Sequence, residues 1–326
     1  MQNNNKLRVG ILGCANIAIR FLAPAFAQHP DFELVAFAGR NADKTKATAE
    51  QFGCEAIDGY PSLLERSDID MVYVPLPNAL HKEWCIKSLQ AGKHVLCEKS
   101  IGCTPDEVAD IIATARKHRR LVIENFQFRF HSQHQWVKQY LASGALGEIR
   151  CFRSSFGFPP FADAHNIRYS KELGGGALLD AGAYTLKAMQ FMLGGSFRVK
   201  AATLWQPDTA EVDLAGGIYL DNAQGVIAEL AFGFDYFYQC NYELWGTKGK
   251  LTCHRAFTAP PGFAPTVTIE LQGDQKTITL PADNHFQNML THFHHTVQCG
   301  DFEDEYQQIL QQANYIGAVR QAALKL

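Results

Sequence analysis

The chain has 326 residues, 47% of them hydrophobic and 19% charged, with a net charge of −3. That length exceeds what one core usually holds and predicts two domains. The near-neutral balance excludes a global electrostatic pull toward nucleic acid or anionic membrane, and no apolar run approaches the roughly 20 residues of a membrane span. The start, "MQNNNKLRVGILG", lacks the long apolar region and small-residue cleavage site of a signal peptide. Nine scattered cysteines without a C-x-x-C read as reduced thiols, which predicts a cytoplasmic protein.

Residues 7–124 alternate short apolar runs with amphipathic segments. Strands are predicted at 7–12, 32–38, 70–76, 93–98 and 121–125, and helices at 16–28, 42–52, 79–91 and 105–118. The near-continuous apolar character of the strands suits a parallel sheet covered on both faces. The helix at 105–118 carries its own start signal: Thr104 to cap, Pro105 at the first position and Glu107 to complete a capping box. Strand–helix alternation at this spacing predicts a doubly wound α/β Rossmann domain over residues 1–124.

The first strand runs into "GILGCANIA". Ala15 and Ala18 stand where the G-x-G-x-x-G fingerprint has its second and third glycines. The pattern alone is weak, and an ordinary strand–helix turn is the alternative. The context raises it: a strand, a tight turn, then a helix start whose open N–H groups suit a pyrophosphate. Gly10, Gly13, Ala15, Asn16 and Ile17 are therefore candidate cofactor contacts. The second strand ends in "FAGRNADKTKA", with Gly39, Arg40, Asn41 and Lys44 where an NAD site would place an acid for the ribose 2′-hydroxyl. A guanidinium there suits a 2′-phosphate, so NADP(H) is predicted over NAD(H); a solvated Arg at a strand end is the alternative.

In sheets of this kind ligands collect at the carboxyl ends of the strands. After the strand at 70–76 comes "VPLPNALH". Its prolines and Asn make a rigid loop, which marks Pro75, Leu76 and Asn78 as contacts for a nicotinamide ring. His81 either faces that site or makes a local hydrogen bond at the helix start. After the strand at 93–98 comes "HVLCEKSIGCT". Lys99, beside Glu98, leaves a buried strand toward the cleft, where it can polarise a carbonyl. Asn125, at the end of the strand at 121–125, joins the candidate cofactor contacts.

Residues 125–326 read differently. Helical spacing in "SQHQWVKQYLASGALG" and "GGGALLDAGAYTLKAMQFML" is followed by β-like runs at 197–206, 212–221, 224–234, 239–253, 266–272 and 275–280, with another at 148–158. "LQGDQKTITL" predicts a hairpin with Gly273–Asp274 at its tip. Helical patterns return at 284–299 and 304–325. Strands without intervening helices predict an α+β domain with an antiparallel sheet, shaping the substrate pocket and an oligomer surface. In the glycine-led helix, Asp180 and Tyr184 lie four residues apart on one face. On spacing alone, a packed core with a satisfied hydroxyl is the better reading.

Other clusters carry less. "HFHHT" (His292, His294, His295) suggests no further ligands for a metal, so no metal is expected. His131 and His134 are read as a solvated helix face rather than phosphate contacts. The aromatics Phe156, Phe158, Phe161, Phe234, Tyr236, Phe237 and Tyr238 are read as core or dimer-surface residues rather than a base-stacking platform.

Taken in order, "GILGCANIA", "VPLPNALH", "CEKSIG", "GGGALLDAGAY" and "NYELWGTKGKL" resemble the glucose–fructose oxidoreductase / inositol dehydrogenase (Gfo/Idh/MocA) family over essentially the whole chain. The resemblance implies a Rossmann domain followed by an open-sheet domain whose sheet forms a homodimer or homotetramer contact. The family's Glu-Lys-Pro motif maps onto Glu98-Lys99 and implies a catalytic Lys99. Ser100 replaces the proline, which leaves the loop geometry open. Many members have Asp-x-x-x-His where this chain has Asp180-x-x-x-Tyr184. A tyrosine there is similar to dihydrodiol and NADP-linked xylose dehydrogenases and to sugar 3-ketoreductases. "ENFQFRFHSQH", "SSFGFPP" and "HRAFTAPP" look like segments of the 3-ketoreductases.

The implied function is NADPH-dependent reduction of a keto group, at carbon 3, of a dTDP-linked deoxy sugar. Tyr184 would donate the proton, assisted by Lys99, and Asp180 would hold a sugar hydroxyl or orient the phenol. Two alternatives stay open: an NADP-linked dehydrogenase of a free sugar or diol, and a non-catalytic nucleotide-binding regulator. Intact Lys99, Asp180 and Tyr184 argue against the regulator.

Overall fold

The computed structural model describes residues 6–325 apart from 164 and 195. The chain divides into two compact units, Met1–Asn125 with Phe286–Gln311, and Phe126–His285 with Gln312–Leu326.

The first unit runs β1 (Leu7–Leu12), α1 (Ala23–Gln28), β2 (Phe32–Gly39), α2 (Ala42–Phe52), β3 (Glu55–Asp58), α3 (Tyr60–Leu64), β4 (Met71–Val74), α4 (Asn78–Gln90), β5 (His94–Cys97), α5 (Pro105–His118) and β6 (Val122–Glu124). The six strands form one parallel sheet in the order β3-β2-β1-β4-β5-β6. Strand order reverses between β1 and β4, so the ligand crevice of this topology lies outside their carboxyl ends. β1, β4 and β5 are apolar and buried almost throughout, as strands covered on both faces must be.

Local sequence explains several boundaries. Thr104 accepts a hydrogen bond from the Glu107 N–H at 3.2 Å, and Glu107 accepts one from the Cys103 N–H at 2.7 Å. This is the expected box, reaching one residue further back than Thr104. The first helix begins at Asn16 and widens into a π turn over Ala18–Leu22 before α1. Pro24 sits just after that turn, and its missing N–H disfavours regular α winding there. β3 and α3 were not anticipated. β3 is a short edge strand of mostly exposed residues, so it lacks the apolar run that marks its neighbours.

The second unit contains α6 (Ser132–Ala142), β7 (Ile149–Gly157), α7 (Ala183–Leu193), β8 (Phe197–Trp205), β9 (Ala215–Asn222), β10 (Ile227–Gly233), β11 (Gln239–Gly246), β12 (Gly249–His254), β13 (Thr266–Leu271) and β14 (Asp274–Thr279). The chain then forms α8 (His285–Cys299), α9 (Glu303–Ala322) and β15 (Ala323–Lys325). Nine strands make one sheet, ordered β14-β13-β12-β11-β7-β10-β9-β8-β15. Most pairs are antiparallel, but β7 with β10 and β8 with β15 are parallel, so the sheet is mixed rather than purely antiparallel. The run at 239–253 is two strands, broken at Thr247–Lys248. The hairpin tip falls one residue earlier than expected: Leu271 pairs with Asp274, and Gly273 takes the left-handed φ of 80°.

One face of this sheet is buried through Phe152, Tyr242, Leu244, Leu230, Phe232 and Leu220. The other face is open. Side-chain alternation from paired residues places Tyr219, Trp205 and Trp245 on it together with Arg153, Glu229, Glu243 and Lys250.

Candidate active site

In the first unit the strand exits hold the predicted residues. Gly13 has a φ of 98°, and its N–H donates to the Ala38 carbonyl at 2.7 Å. A Cβ there would lie 3.1 Å from the Leu76 side chain, and one on Gly39 would lie 2.1 Å from the Thr45 hydroxyl. Both turns therefore need glycine, and both keep backbone open toward the crevice. Ala15 and Ile17 are half-buried and Asn16 is exposed at the helix start.

Arg40 and Lys44 are exposed after β2. Asn41 is committed locally, because its Oδ1 accepts the Lys44 N–H at 2.9 Å and caps α2. Its predicted cofactor role therefore falls to its remaining atoms. Tyr60, which sequence reasoning missed, is buried with its hydroxyl 3.5 Å from the position a Gly13 Cβ would take. Burial raises the Tyr60 pKa, and the hydrogen-bonded Arg40 guanidinium opposes that rise. Tyr60 lies in α3, twenty residues from Arg40, so no local motif pointed to it.

After β4, Pro75 and Leu76 are buried and Asn78 is half-buried. His81 departs from the cofactor-contact expectation. Its ring is fully buried, with Nδ1 2.7 Å from the Ser100 carbonyl oxygen and Nε2 2.7 Å from that of Leu76. Both nitrogens face the protein's own backbone, so the local-contact alternative holds. After β5, Glu98 Oε1 accepts hydrogen bonds from the Tyr73 hydroxyl and the Asn125 amide, each at 2.6 Å. Burial raises the Glu98 pKa, while Tyr73, Asn125 and Lys99 pull it down. Lys99 is half-buried, and the Lys99–Ser100 peptide is cis.

These residues fit a dinucleotide. The glycine turn offers backbone against a helix start, Arg40 is free of a competing acid on its own strand end, and Asn125 holds a buried Oδ1 with no protein hydrogen-bond partner. Among the described residues no group of three or more His, Cys, Asp or Glu is arranged to hold a metal ion.

In the second unit the glycine run has a steric cause. Gly174 and Gly176 take φ of 74° and 112°, and a Cβ on Gly175 would sit 2.4 Å from the Arg168 carbonyl oxygen. The helix that follows is capped by Asp213, another residue without a sequence signal. Asp213 Oδ2 accepts the Leu178 N–H at 2.6 Å, and its backbone carbonyl accepts the Ala177 N–H at 2.8 Å. A carboxylate at that terminus stabilises by about 1 kcal/mol in ordinary settings.

The helix is wound as a π turn over Leu178–Gly182 and as α7 beyond. Asp180 accepts a 2.7 Å hydrogen bond from Arg168 Nε, and the Arg168 guanidinium lies 4.8 Å from the Phe161 ring centre. Tyr184 is 7% exposed among Phe126, Phe156, Phe257 and Phe128, with ring centres 5.1–5.9 Å away. The acid and the phenol thus differ in setting: one ion-paired to the half-exposed Arg168, the other in an aromatic cage. One turn beyond Tyr184 lies the buried Lys187, whose Nζ donates to Gln190 Oε1 at 3.0 Å.

His131 and His134 are buried rather than solvated. His134 Nδ1 lies 2.9 Å from the Tyr242 hydroxyl and Nε2 3.0 Å from the Ala256 carbonyl, a full set for a neutral ring. Burial pushes the His134 pKa down to about 3. Spacing on α6 could not show that the sheet covers that face. His292 lies 2.9 Å from Glu305 and His294 3.9 Å from Asp31.

The oxidoreductase family with an NAD-binding Rossmann fold matches residues 7–126, and the GFO/IDH/MocA C-terminal domain matches residues 134–252. A dTDP-3,4-didehydro-2,6-dideoxy-alpha-D-glucose 3-reductase of Actinomadura kijaniata is 41% identical over 322 residues, covering 98% of this chain and 97% of the relative. A D-xylose 1-dehydrogenase (NADP(+)) of Haloferax volcanii is 31% identical, covering 90% of this chain and 89% of the relative. Among solved structures, KijD10, a 3-ketoreductase from Actinomadura kijaniata in complex with NADP and TDP-benzene, superposes with a TM-score of 0.96 at 40% identity, covering 99% of both chains. That protein has also been solved with a lysine or a tyrosine replaced. With both halves matched in order and full-length likeness on either side of them, the chain belongs to the GFO/IDH/MocA oxidoreductase family.

Proposed function

We propose that this protein is an NADPH-dependent reductase of a nucleotide-linked keto sugar, with a dTDP-linked deoxy sugar as substrate and carbon 3 as the reacting centre. The observation that carries the reading is the 41% identity, along the whole chain, to a reductase of that chemistry. Bound NADPH supplies the hydride to the ketone carbon. The chain supplies everything else. The turn at Gly10, Gly13, Ala15, Asn16 and Ile17 presents backbone N–H groups to the pyrophosphate. Arg40 takes the 2′-phosphate with Tyr60 steadying it, and Lys44 adds charge. Pro75, Leu76 and Asn78 bound the nicotinamide, and Asn125 offers its unpartnered Oδ1 to a carboxamide.

Reduction leaves a negative oxygen that must gain one proton. Tyr184 donates it, since a phenol is protonated at neutral pH. Lys99 sets positive charge beside that oxygen, which stabilises the developing alkoxide and eases the phenol's loss of its proton. Asp180, held by Arg168, orients a substrate hydroxyl. The reading requires Lys99 and Tyr184 to meet at one substrate oxygen. The choice of a lysine and a tyrosine for replacement in the 3-ketoreductase is in keeping with such a pair. Turnover of a dTDP-linked 3-keto sugar with NADPH is the test. No turnover there, alongside oxidation of free xylose with NADP⁺, would move the protein to the second reading, which the Haloferax relative favours.

Cofactor choice gives a separate check. Arg40→Asp removes a charge-assisted hydrogen bond and adds repulsion, so KM for NADPH is expected to rise ~30-fold or more while KM for NADH stays level or falls. An unchanged KM for NADPH would remove Arg40 from the phosphate site.

The reading also places the enzyme in the cytoplasm as a homodimer or homotetramer joined through the open sheet face. None of the nine cysteines is in a disulfide, and no described helix is long and apolar enough to cross a membrane. Trp205, Tyr219 and Trp245 are 40–47% exposed on that face, a large aromatic presentation for a lone chain. Sedimentation of Trp245→Arg is expected to shift toward monomer; an unaltered oligomer, or a monomeric parent, overturns the contact.

A further inference from the structure

The strand exits after β4 and β5 stop sharing a ladder at one point. Val74 pairs with Cys97, and the Glu98 N–H donates to the Val74 carbonyl at 3.1 Å. Beyond it, Pro75 and Pro77 carry no N–H, so two of the next three residues after Val74 cannot donate to the neighbouring strand. The carbonyls of Leu76 and Ser100 lie at this divergence. The His81 ring, from the first turns of α4, lies between them at 2.7 Å from each. It is fully buried, and Ser100 is 1% exposed, so water does not compete for these contacts.

We propose that His81 is a positioning residue: by donating from Nδ1 to the Ser100 carbonyl, it fixes the chain on the far side of Lys99 and so sets the direction in which that side chain leaves the strand end. The proposal rests on the reading of Lys99 as the charge beside the reacting oxygen. Lys99 is anchored on one side by Glu98, whose carboxylate is held by Tyr73 and Asn125. His81 supplies the anchor on the other side. Carbonyl oxygens only accept, so the tether requires a proton on Nδ1. Both contacts are filled together only by the doubly protonated ring. Burial and the nearby Lys99 charge oppose that form and push the pKa down to about 4, against the pull of the two carbonyls. At neutral pH the ring therefore carries a single proton, and the tether places it on Nδ1, facing Ser100.

Two substitutions separate the two contacts. An asparagine amide reaches the place of Nδ1, and a glutamine amide that of Nε2. His81→Asn keeps the Ser100 tether and is expected to lose less than ~3-fold in kcat; His81→Gln keeps only the Leu76 contact and is expected to lose ~30-fold, because misplacing a reacting group by an ångström carries losses of that size. KM for NADPH stays within ~2-fold in both, since ground-state cofactor binding is untouched. The melting temperatures should lie close together, because the singly protonated ring donates one buried hydrogen bond and each amide donates one in its place, to Ser100 or to Leu76. Equal kcat losses, a reversed order, or kcat tracking thermal stability would overturn the tether. In a Lys99→Met background the Asn/Gln difference should vanish. Full turnover by Lys99→Met alone would instead sink the reading of Lys99, an outcome distinct from failure of the tether. If His81→Gln does not fold, nitrogen-15 spectra of histidine-labelled enzyme decide. The resonance lost in His81→Asn should report an Nδ1-protonated ring at neutral pH, and an Nε2-protonated neutral ring contradicts the proposal.

Discussion

Lys99→Met is expected to lower kcat about 10³-fold with KM for NADPH changed less than about 2-fold. Methionine keeps the length and apolar stem of lysine, so the substitution removes charge with little loss of packing. The strand end should survive it. Glu98 keeps its 2.6 Å hydrogen bonds from Tyr73 and Asn125, and Ser100 keeps its contact with His81. On the proposed mechanism, what disappears is the cation beside an oxygen that becomes negative only as hydride arrives. Such a group acts mainly in the transition state, so its loss falls on kcat. Lys99→Arg restores charge in a different shape and should recover only part of the rate, because a planar fork does not replace a compact ammonium. A Lys99→Met enzyme with a raised KM and an unaltered kcat would make Lys99 a binding residue and leave the proton chemistry to others.

The first unit was legible because parallel strands buried on both faces write themselves as apolar runs. β1, β4 and β5 are of that kind, and the helix at Pro105–His118 announced its start in three residues. β3 escaped for the converse reason: at an edge, with exposed residues, it has no periodicity to read. The second unit was legible as a set of strands but not as pairings. The parallel contact of β7 with β10 joins segments some eighty residues apart, and alternation says nothing of which strand lies beside which.

The site divides in the same way. Glycines, Arg40, Glu98 and Lys99 sit at strand ends, where a motif and its position coincide. Tyr60 and Asp213 reach their places through tertiary folding, the first beside Gly13 and the second beneath the helix that carries Asp180. The burial of His131 and His134 belongs to the same class, since a helix face is named solvent or core only by what packs on it. His81 shows the limit most plainly. A histidine opening a helix next to a ligand loop fits a cofactor contact and a structural clasp equally, and only the two carbonyls at 2.7 Å separate them.

Tyr184→Phe should cost ~10–100-fold in kcat, less than loss of the lysine. The cage explains why the test is clean. Phe126, Phe128, Phe156 and Phe257 surround a ring that phenylalanine reproduces, so the change deletes one oxygen and leaves the packing. It also explains the smaller effect. On the proposed mechanism, a Lys99 that serves the alkoxide can still deliver a proton itself or through water once the phenol is gone. With the lysine gone, the phenol must release its proton unaided, and an ordinary tyrosine holds it to a pH near about 10. If the two serve one oxygen, their losses will not multiply: Lys99→Met/Tyr184→Phe should be no more than about 3-fold slower than Lys99→Met alone. Fully multiplicative losses would mean that the residues act on separate steps. A Tyr184→Phe enzyme with wild-type turnover would return the phenol to the aromatic core that surrounds it.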